Sequence, residues 1–272
     1  MIKVDLQSGL KIWKILNNSQ NGGDDMYQKE RIDSIMEILN ENGYVTVKYL
    51  TEELHYSTAT INRDLNDMVK QNLIKRSYGG VELIKERGVP LPFRYHKMKS
   101  IKNKLGKKAA EFINDGDRIF IDGSTTTQYI GKYIIDKKDL TVITNNITLA
   151  SFLSEHGIEV ICLGGKIVEI PSMVGGMDTA GHAMKYKADK LFFSVGELSE
   201  EGVLSSAENY DLLHRVEAEN SDEVYCLIDH KKIKPPPKRI LFDLSKVDYL
   251  ITDYIFSDEV KKRFENTRFI EV

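Results

Sequence analysis

The sequence has little of what marks secreted, membrane-spanning or disulfide-stapled proteins. Only two of its 272 residues are cysteine, Cys162 and Cys226, and only six are proline. Each cysteine lies inside a short apolar run, so we predict two buried, reduced thiols on strands rather than a disulfide or a metal pair. No apolar run is long enough to cross a bilayer, and the first residues do not resemble a signal peptide. These absences favour a cytoplasmic protein that has no membrane partner.

The chain also lacks a strong excess of either charge. It has 38 Lys and Arg against 41 Asp and Glu, for a formal net charge of -3. DNA binding would therefore need cations that are placed locally, because overall charge does not supply the attraction. The histidines are scattered, and His182, His214 and His230 lack partners at metal-ligand spacing, so we expect neither a metal nor a cofactor. The length is enough for two domains.

The first 25 residues differ in character from the rest of the chain. A polar stretch, Asn17 to Asp25, precedes Met26, and Gly22-Gly23-Asp24 can be encoded by bases that look like a bacterial ribosome-binding sequence. We hypothesise that Met26 is the initiator and that residues 1–25 are a leader placed before the true start. The alternative is a genuine N-terminal arm or tail. A native N-terminal peptide from before Met26, found by mass spectrometry, would decide for the alternative.

From Tyr27 onward, apolar residues recur at the spacing of amphipathic helices. The first helix is predicted to end in a left-handed cap at Asn42-Gly43, Thr46 to cap a second helix, and Ser57 to cap a third. His55-Tyr56 forms the turn between the second and third helices, as in a helix-turn-helix. The inward-facing positions are Ile32, Ile35, Met36, Ile38, Leu39, Val47, Leu50, Leu54, Ile61, Leu65, Met68 and Val69.

The third helix carries polar groups near its N-terminus that suit contact with nucleic acid. Hydroxyl, amide and guanidinium groups bond to phosphates and base edges. Arg63 could read a base, or it could pair with Asp64 or Asp67 and only position the backbone. We predict a recognition helix whose DNA-binding residues are Ser57, Thr58, Thr60, Asn62 and Arg63.

Two short β-like segments come next, Leu73 to Arg76 and Val81 to Ile84. Between them lies Ser77-Tyr78-Gly79-Gly80, which predicts a hairpin with a Gly-Gly turn, the wing of a winged helix. The alternative is a winged helix used for protein contact. In the DNA-binding interpretation the wing residues placed to reach the sugar-phosphate backbone are Lys75, Arg76 and Tyr78.

Residues 85–104 are predicted to be a basic linker. Pro90 and Pro92 discourage a helix near its start. The linker could be a hinge that reaches flanking phosphates and steepens the salt dependence of binding, or a tether followed by a solvated helix face. A helix restarts on Ile101, Leu105, Ala109 and Phe112. The cations in and beside the linker are Arg87, Arg94, Lys97, Lys99, Lys102, Lys104, Lys107 and Lys108.

Downstream, nearly all-apolar runs alternate with helical patterns, which is typical of strands buried on both faces of a parallel sheet. The fold class predicted is α/β: an N-terminal winged helix-turn-helix plus a C-terminal doubly wound, mostly parallel α/β domain. The predicted strands are 118–121, 140–144, 159–163, 191–195 and 224–228, with edge strands 249–252 and 268–272. The predicted helices are 126–135, 147–154 and 207–218.

Polar residues come after these strands at the edge where ligands bind such sheets. The loop from Asp122 to Thr127 combines a glycine, free N–H groups and hydroxyls, which suits an anion and phosphate above all; the alternative is a simple helix cap. The polar residues at the other strand ends add to the predicted site. The candidate effector-binding residues are Asp122, Ser124, Thr125, Thr126, Thr127, Asn145, Gly164, Gly165, Glu197, Asp229 and Lys232.

Two sets of motifs, one in each half of the chain, occur in order. The N-terminal motifs are Arg31, Val47-x-x-Leu50, Ser57-x-x-Thr60-Ile61-x-Arg63-Asp64-Leu65, Leu73-Ile74-x-Arg76 and Tyr78-Gly79-Gly80-Val81. The C-terminal motifs are the Asp122 loop, Thr144-Asn145-Asn146, Gly164-Gly165, Gly175, Asp189-Lys190 and Asp229-x-x-Lys232.

Through these motifs both halves resemble the DeoR-type bacterial repressors, and the resemblance covers nearly everything after Met26. The sensor domain of that family is related in fold to ribose-5-phosphate isomerases. The resemblance implies operator DNA as one partner and a phosphorylated sugar as effector, with phosphate on Ser124 to Thr127 and sugar hydroxyls near Asn145, Glu197, Asp229 and Lys232.

The chain departs from the family pattern at several positions. The family usually has a basic residue at Asn62, glycine at Ser124, serine at Lys231 and lysine at His214, and Pro235-Pro236-Pro237 stiffens a loop. The effector or the sequence preference could therefore be unusual.

The function predicted is a DNA-binding transcriptional regulator, a repressor of a carbohydrate-catabolism operon that acts as a homodimer or homotetramer. The predicted domains are a winged helix-turn-helix at 26–84 and a sugar-phosphate sensor at 105–272, and no enzyme activity is expected. The alternative is a sugar-phosphate isomerase with a DNA-binding domain, in which Glu197 is the base and Lys232 stabilises the enediolate. No second carboxylate–lysine pairing of the isomerase kind lies near Glu197.

Overall fold

The computed structural model describes residues 24–70, 73–83, 98–169, 173–206 and 208–272. The chain forms two compact units, residues 1–89 and 90–272. Most of the hypothetical leader (1–23) and residues 84–97, which include much of the predicted linker, lie outside the described residues. Among the helices that the structure describes, none has the length and apolar character needed to cross a membrane.

The first unit contains the predicted helices, and their caps form as the sequence indicates. Gly43 ends the first helix with φ 72°. Thr46 Oγ1 accepts a hydrogen bond from the Tyr49 N–H at 3.1 Å, and Ser57 Oγ accepts one from the Thr60 N–H at 3.1 Å. The elements are α1 (Asp24–Asn42), β1 (Tyr44–Thr46), α2 (Val47–Leu54), α3 (Thr58–Lys70), β2 (Ile74–Ser77) and β3 (Gly80–Leu83).

The predicted wing forms, but its turn is Tyr78-Gly79 rather than Gly-Gly. Ser77 pairs with Gly80 in the register of β2 and β3, and Gly79 has φ 74°. Gly80 belongs to β3 and also pairs with Thr46 of β1. A Cβ on Gly80 would lie 2.2 Å from the Val45 carbonyl oxygen, so this glycine allows two strands to approach closely.

The second unit is a doubly wound α/β domain, as predicted. The strands of its main sheet are β4 (Arg118–Ile121), β5 (Thr141–Thr144), β6 (Glu159–Cys162), β9 (Ala188–Phe193), β12 (Ser221–Ile228), β15 (Tyr249–Thr252) and β16 (Arg268–Glu271). These seven strands lie in the order β16-β15-β12-β9-β4-β5-β6, and every neighbouring pair is parallel. The helices are α4 (Lys99–Ala110), α5 (Ile147–Glu155), α6 (Met177–Ala183), α7 (Glu208–Glu219) and α8 (Asp258–Arg263).

Both faces of this sheet are covered, which explains why its strands are apolar throughout. On one face, Leu105 of α4 and Leu149 of α5 pack in a cluster with Ile119 and Val142. On the other face, α6 and α7 pack with strand residues that include Phe120. Adjacent residues of one strand thus enter opposite clusters.

Several predictions about this unit are wrong. The predicted helix 126–135 is a 3₁₀ helix, Thr127–Tyr133, and only β16 of the two C-terminal strands lies at the sheet edge. Cys162 is exposed at the end of the edge strand β6, whereas Cys226 is buried as expected, and both thiols are free. A four-stranded sheet and a hairpin were not anticipated. Their strands are β7 (Lys166–Glu169), β8 (Met173–Gly175), β10 (Glu197–Ser199), β11 (Val203–Ser205), β13 (Ile233–Lys234) and β14 (Phe242–Asp243).

Candidate functional site

The polar N-terminal turn of α3 is presented away from the core. Thr58 and Arg63 are exposed, and Asn62 is half-buried. The hydroxyls of Ser57 and Thr60 are 2.9 Å apart, and Ser57 also caps the helix. These two hydroxyls therefore order the helix start, while Thr58 and Arg63 remain accessible to a partner.

The carboxylate that could have neutralised Arg63 is engaged elsewhere. Asp64 is fully buried and pairs with Arg31 of α1, whose Nη2 donates to Asp64 Oδ1 at 3.1 Å. Asp67 pairs with Lys70 at 3.1 Å. Within the described part of the chain, Arg63 pairs with neither Asp64 nor Asp67, which favours the interpretation that its guanidinium is open to DNA.

The wing residues differ in how free they are. Tyr78 is fully exposed at the tip, where its carbonyl accepts a hydrogen bond from Tyr44 Oη at 2.7 Å. Lys75 lies 3.3 Å from Glu82 across the hairpin, so part of its charge is offset. The side chain of Arg76, on β2 of the wing, donates hydrogen bonds to two side chains of α3, those of Asn62 and Asn66.

In the second unit, a hydrogen-bonded loop comes after β4. Asp122 is buried, and its carboxylate accepts from the Ser124 N–H and the Ser194 N–H, each at 3.2 Å. Thr127 Oγ1 donates to the Asp122 carboxylate at 2.5 Å and lies 2.8 Å from Ser124 Oγ. Asp122, Ser124 and Thr127 are therefore engaged in shaping the loop.

Two lysines meet the hydroxyls of this loop. Lys102 Nζ, from α4, donates to Thr125 Oγ1 at 2.8 Å. Lys232 Nζ, from the turn after β12, donates to Ser194 Oγ at 2.8 Å and to Thr126 Oγ1 at 3.4 Å. Lys102 is only 3% exposed. Two ammonium groups on adjacent threonines create a positive, hydroxyl-rich site at the carboxyl end of β4, which suits an anion.

Lys102 lies at the candidate anion loop, where the sequence did not place it. It was grouped with the solvated linker cations, whereas Lys99, Lys104 and Lys107 of the same helix are exposed. The signal was present in the sequence, because Lys102 precedes Leu105 and Ala109 by three and seven residues. That spacing places it on the buried stripe of α4.

The other predicted effector residues occupy different positions. Asn145 is buried after β5; its Nδ2 donates to the Val174 carbonyl at 2.8 Å, and its Oδ1 has no hydrogen-bond partner among the described residues. The Gly164 N–H already donates to His182 Nδ1 at 3.1 Å. Gly165 has φ 147° and lies against Thr179, and Glu197 is exposed at the start of β10.

Asp229 organises the segment that carries Lys232. It is buried, its Oδ1 accepts from the Lys231 N–H at 3.1 Å, and its carbonyl accepts from the Lys232 N–H at 2.9 Å. These bonds close the 3₁₀ turn His230–Lys232. The aspartate thus holds the backbone of Lys232 at the end of β12.

Acidic and basic side chains are buried beneath the loop. His214 of α7 has its Nε2 3.3 Å from Asp122 Oδ2 and its Nδ1 3.1 Å from Ser206 Oγ. Glu217, one turn further on, is fully buried, and neither of its carboxyl oxygens has a hydrogen-bond partner in the described residues. Burial, and secondarily the charge of Asp122, raises the pKa of Glu217 well above its ordinary value. Glu217 is thereby stabilised as the neutral acid.

Comparisons with known proteins identify a domain family in each half of the chain. Residues 31–87 match the DeoR-like helix-turn-helix domain, and residues 97–254 match the DeoR C terminal sensor domain. The chain is 34% identical over 231 residues to the HTH-type transcriptional repressor GlcR of Bacillus subtilis (strain 168), covering 84% of this chain and 89% of that protein. It is 28% identical over 232 residues to the glycerol-3-phosphate regulon repressor of Escherichia coli (strain K12), covering 84% and 92%.

Among solved structures, ribose 5-phosphate isomerase from Plasmodium falciparum matches with a TM-score of 0.39 and 16% identity, covering 51% of this chain and 54% of that one. The two domain matches occur in the order predicted from the sequence, one in each half of the chain. The predicted family is confirmed: the chain belongs to the DeoR family of transcriptional regulators.

Proposed function

We propose that the protein is a cytoplasmic repressor of a carbohydrate-utilisation operon, which binds operator DNA through its first unit and a phosphorylated sugar through its second. The observation that carries the effector half is the convergence of Lys102 and Lys232 on Thr125 and Thr126. Two relatives named as repressors, one of them of a glycerol-3-phosphate regulon, support the DNA-binding half.

The loop carries groups that suit a phosphate. Its hydroxyls at Thr125 and Thr126 accept hydrogen bonds from two ammonium groups, and a phosphate dianion could take charge-assisted hydrogen bonds from both. The Asp122 carboxylate would repel a phosphate, but its lone pairs are used by loop and strand N–H groups. Asp122 is thus proposed as a positioning residue, and Lys102 joins Lys232 and the threonines as a phosphate ligand.

The rest of the effector would meet an amide and a carboxylate. The unpaired Oδ1 of buried Asn145 can accept a hydrogen bond from a sugar hydroxyl, which would satisfy a costly orphan acceptor. Glu197 is exposed and can accept another. Because Gly164 and Asp229 already use their polar groups internally, they support the site rather than bind the effector.

On the DNA side, α3 supplies Thr58 and Arg63, and the wing supplies Lys75, Arg76 and Tyr78. The protein would bind as a dimer or tetramer, because symmetric proteins match repeated half-sites spaced at multiples of about 10–10.5 base pairs. Effector binding would shift the DNA affinity by about 5- to 150-fold, the usual range of allosteric coupling.

The test is fluorescence anisotropy of the full chain on DNA upstream of its own gene. A salt titration would precede a panel of sugar phosphates and their unphosphorylated sugars. We expect one phosphate to change DNA affinity while its parent sugar does not. Specific DNA binding that ignores every compound would contradict the control mechanism, and no specific binding there or at neighbouring operons would contradict the repressor assignment.

Matched variants locate the phosphate. Lys102→Met should weaken the response to the active compound by about 10- to 100-fold, because a charge-assisted hydrogen bond is lost. Lys104→Met, two residues along the same helix and exposed, should respond like the wild type. Equal responses from both variants would remove Lys102 from the site.

We propose no catalytic role. Lys232 is hydrogen-bonded to Ser194 and Thr126, and the GlcR and glycerol-3-phosphate regulon relatives are named repressors. A direct isomerase assay decides the matter, since turnover that Glu197→Gln abolishes would establish the enzyme instead.

A further inference from the structure

Arg76 is a wing residue whose guanidinium lies against the recognition helix. Its Nη2 donates to Asn66 Oδ1 at 2.8 Å and to Asn62 Oδ1 at 3.0 Å. Asn62 and Asn66 are four residues apart on α3 and so share one face of the helix. Neither Asn66 nor this contact was anticipated from the sequence, where Asn62 was expected to meet DNA itself.

The orientation of Asn62 is fixed by a second bond. Its Nδ2 donates to the Thr58 carbonyl at 3.0 Å, which leaves its Oδ1 to face the arginine. The two amide oxygens thus form a pair of acceptors that holds one nitrogen of the guanidinium. This arrangement restrains a long side chain that would otherwise lose conformational entropy on binding.

The held guanidinium still has unused donors. Arginine carries five N–H groups in a planar fork, and the two asparagines engage Nη2. Among the described residues, no hydrogen bond or ion pair involves Nη1 or Nε of Arg76, and the side chain is exposed. It is held at Asn62 and Asn66, which lie about 90–130° around α3 from the buried stripe of Ile61, Leu65 and Met68, so it stands on an accessible flank of the helix.

We propose that Arg76 is a base-reading residue of the recognition surface, and that Asn62 and Asn66 are the residues that position it. The proposal rests on the DNA-binding function proposed above. It commits to one base acceptor, most simply O6 or N7 of guanine, contacted by Nη1, because Nη2 is already held by the two asparagines of the helix that would enter the groove. Residue 62 of α3 is an asparagine and carries no charge, and the wing residue Arg76 places a cation beside it.

The experiment starts from duplex DNA that the wild-type full chain enriches from a random-sequence library. Arg76→Ala should lower affinity for that DNA roughly 10- to 100-fold, the cost of one charge-assisted hydrogen bond. The sequences that this variant enriches from the library should no longer specify one base pair in each half-site. Arg76→Lys keeps the charge but has one nitrogen in place of three, so it should lose the same base preference.

Double variants test whether the two asparagines act on DNA binding by positioning Arg76. Asn66→Ala and Asn62→Ala should each weaken binding in the wild-type background and have little further effect beside Arg76→Ala. Lys48→Ala, at an exposed position of α2, controls for general charge loss, and thermal unfolding of every variant checks the fold.

Three outcomes overturn the proposal. If Arg76→Ala enriches the same sequence as the wild type and only lowers the salt dependence of affinity, Arg76 is a phosphate contact. If Asn66→Ala lowers DNA affinity as much in the Arg76→Ala variant as in the wild type, the asparagines act independently of the arginine. If the wild type enriches no sequence, the DNA-binding function fails, and this inference fails with it.

Discussion

Arg31 of α1 and Asp64 of α3 form an ion pair in which the two side chains are 5% and 0% exposed. Gln28 adds a hydrogen bond to Asp64 Oδ1 at 3.0 Å, and the hydrogen bond to Asp64 raises the pKa of Arg31. The pair joins the recognition helix to the first helix. The same bond explains why Asp64 is unavailable to Arg63.

We expect Asp64→Ala to lower the free energy of unfolding of the first unit by about 3–5 kcal/mol, because it removes the buried carboxylate that pairs with the Arg31 guanidinium. Denaturant titration followed by circular dichroism measures the loss. Asp67→Ala is the matched control, since Asp67 pairs with Lys70 on the surface and should cost less than about 1 kcal/mol. Equal effects of the two variants would contradict the structural role of the buried pair.

Inorganic phosphate should stabilise the wild type more than the Lys102→Met variant. Lys102 Nζ is nearly buried and bonds Thr125 at the proposed anion loop, so a phosphate bound there would lose a charge-assisted hydrogen bond when the lysine is replaced. A ligand that binds the native state raises its stability in proportion to its affinity. Thermal unfolding with and without phosphate measures the difference, and equal shifts of the melting temperature in the wild type and the variant would contradict a role of Lys102 in binding phosphate.

Glu217 should make stability fall as pH rises. The folded chain retains a proton that the unfolded chain releases above the ordinary glutamate pKa, so the native state binds more protons over this window. The free energy of unfolding then decreases with pH by at most about 1.4 kcal/mol per unit from this group. The decrease begins near the unfolded pKa and ends at the raised folded one.

Glu217→Gln should remove this contribution, so its stability relative to the wild type should grow as pH rises from about 4 toward neutral. Glu219→Gln, two residues on and exposed, should keep the wild-type pH dependence. Denaturant midpoints measured across this pH range test the difference. If Glu217→Gln and the wild type show parallel curves, the buried acid is not protonated.

Gly80→Ala should destabilise the wing, because its Cβ would meet the Val45 carbonyl oxygen at 2.2 Å and Tyr44 Oη at 2.7 Å. We expect a loss of about 1–3 kcal/mol in unfolding free energy, as for other overpacked sites, and weaker DNA binding as the Tyr44–Tyr78 bond shifts. Hydrogen exchange of the wing amides reports the local effect. Gly181→Ala, where a Cβ meets nothing within 4 Å, should leave these amides unchanged.

Much of the architecture could be predicted from the sequence, because local rules and tertiary structure agree there. Thr46 and Ser57 are favourable caps, and they cap α2 and α3. The strands at 118–121 and 224–228 are apolar because both faces of the sheet are covered. The spacing of apolar residues and the capping of helices depend on residues close together in the chain, so the sequence alone reveals them.

Side-chain partnerships were harder to predict. Arg76 contacts Asn66 across ten positions, and Lys102 contacts Thr125 across twenty-three. Neither separation can be deduced from helix or strand periodicity. Lys102 was also obscured by its neighbours, since a run of lysines looks like a solvated face even when one member lies on the buried stripe.

Cys162 provides a practical route to watching the sensor unit at work. The chain has two cysteines, and burial raises the pKa of both thiols, but Cys226 is buried whereas Cys162 is exposed to a reagent. A maleimide dye should therefore attach at Cys162 alone while the protein stays folded. Because Cys162 ends β6 just before Gly164, the unaltered sequence already offers a place for a fluorescent reporter beside the candidate effector edge.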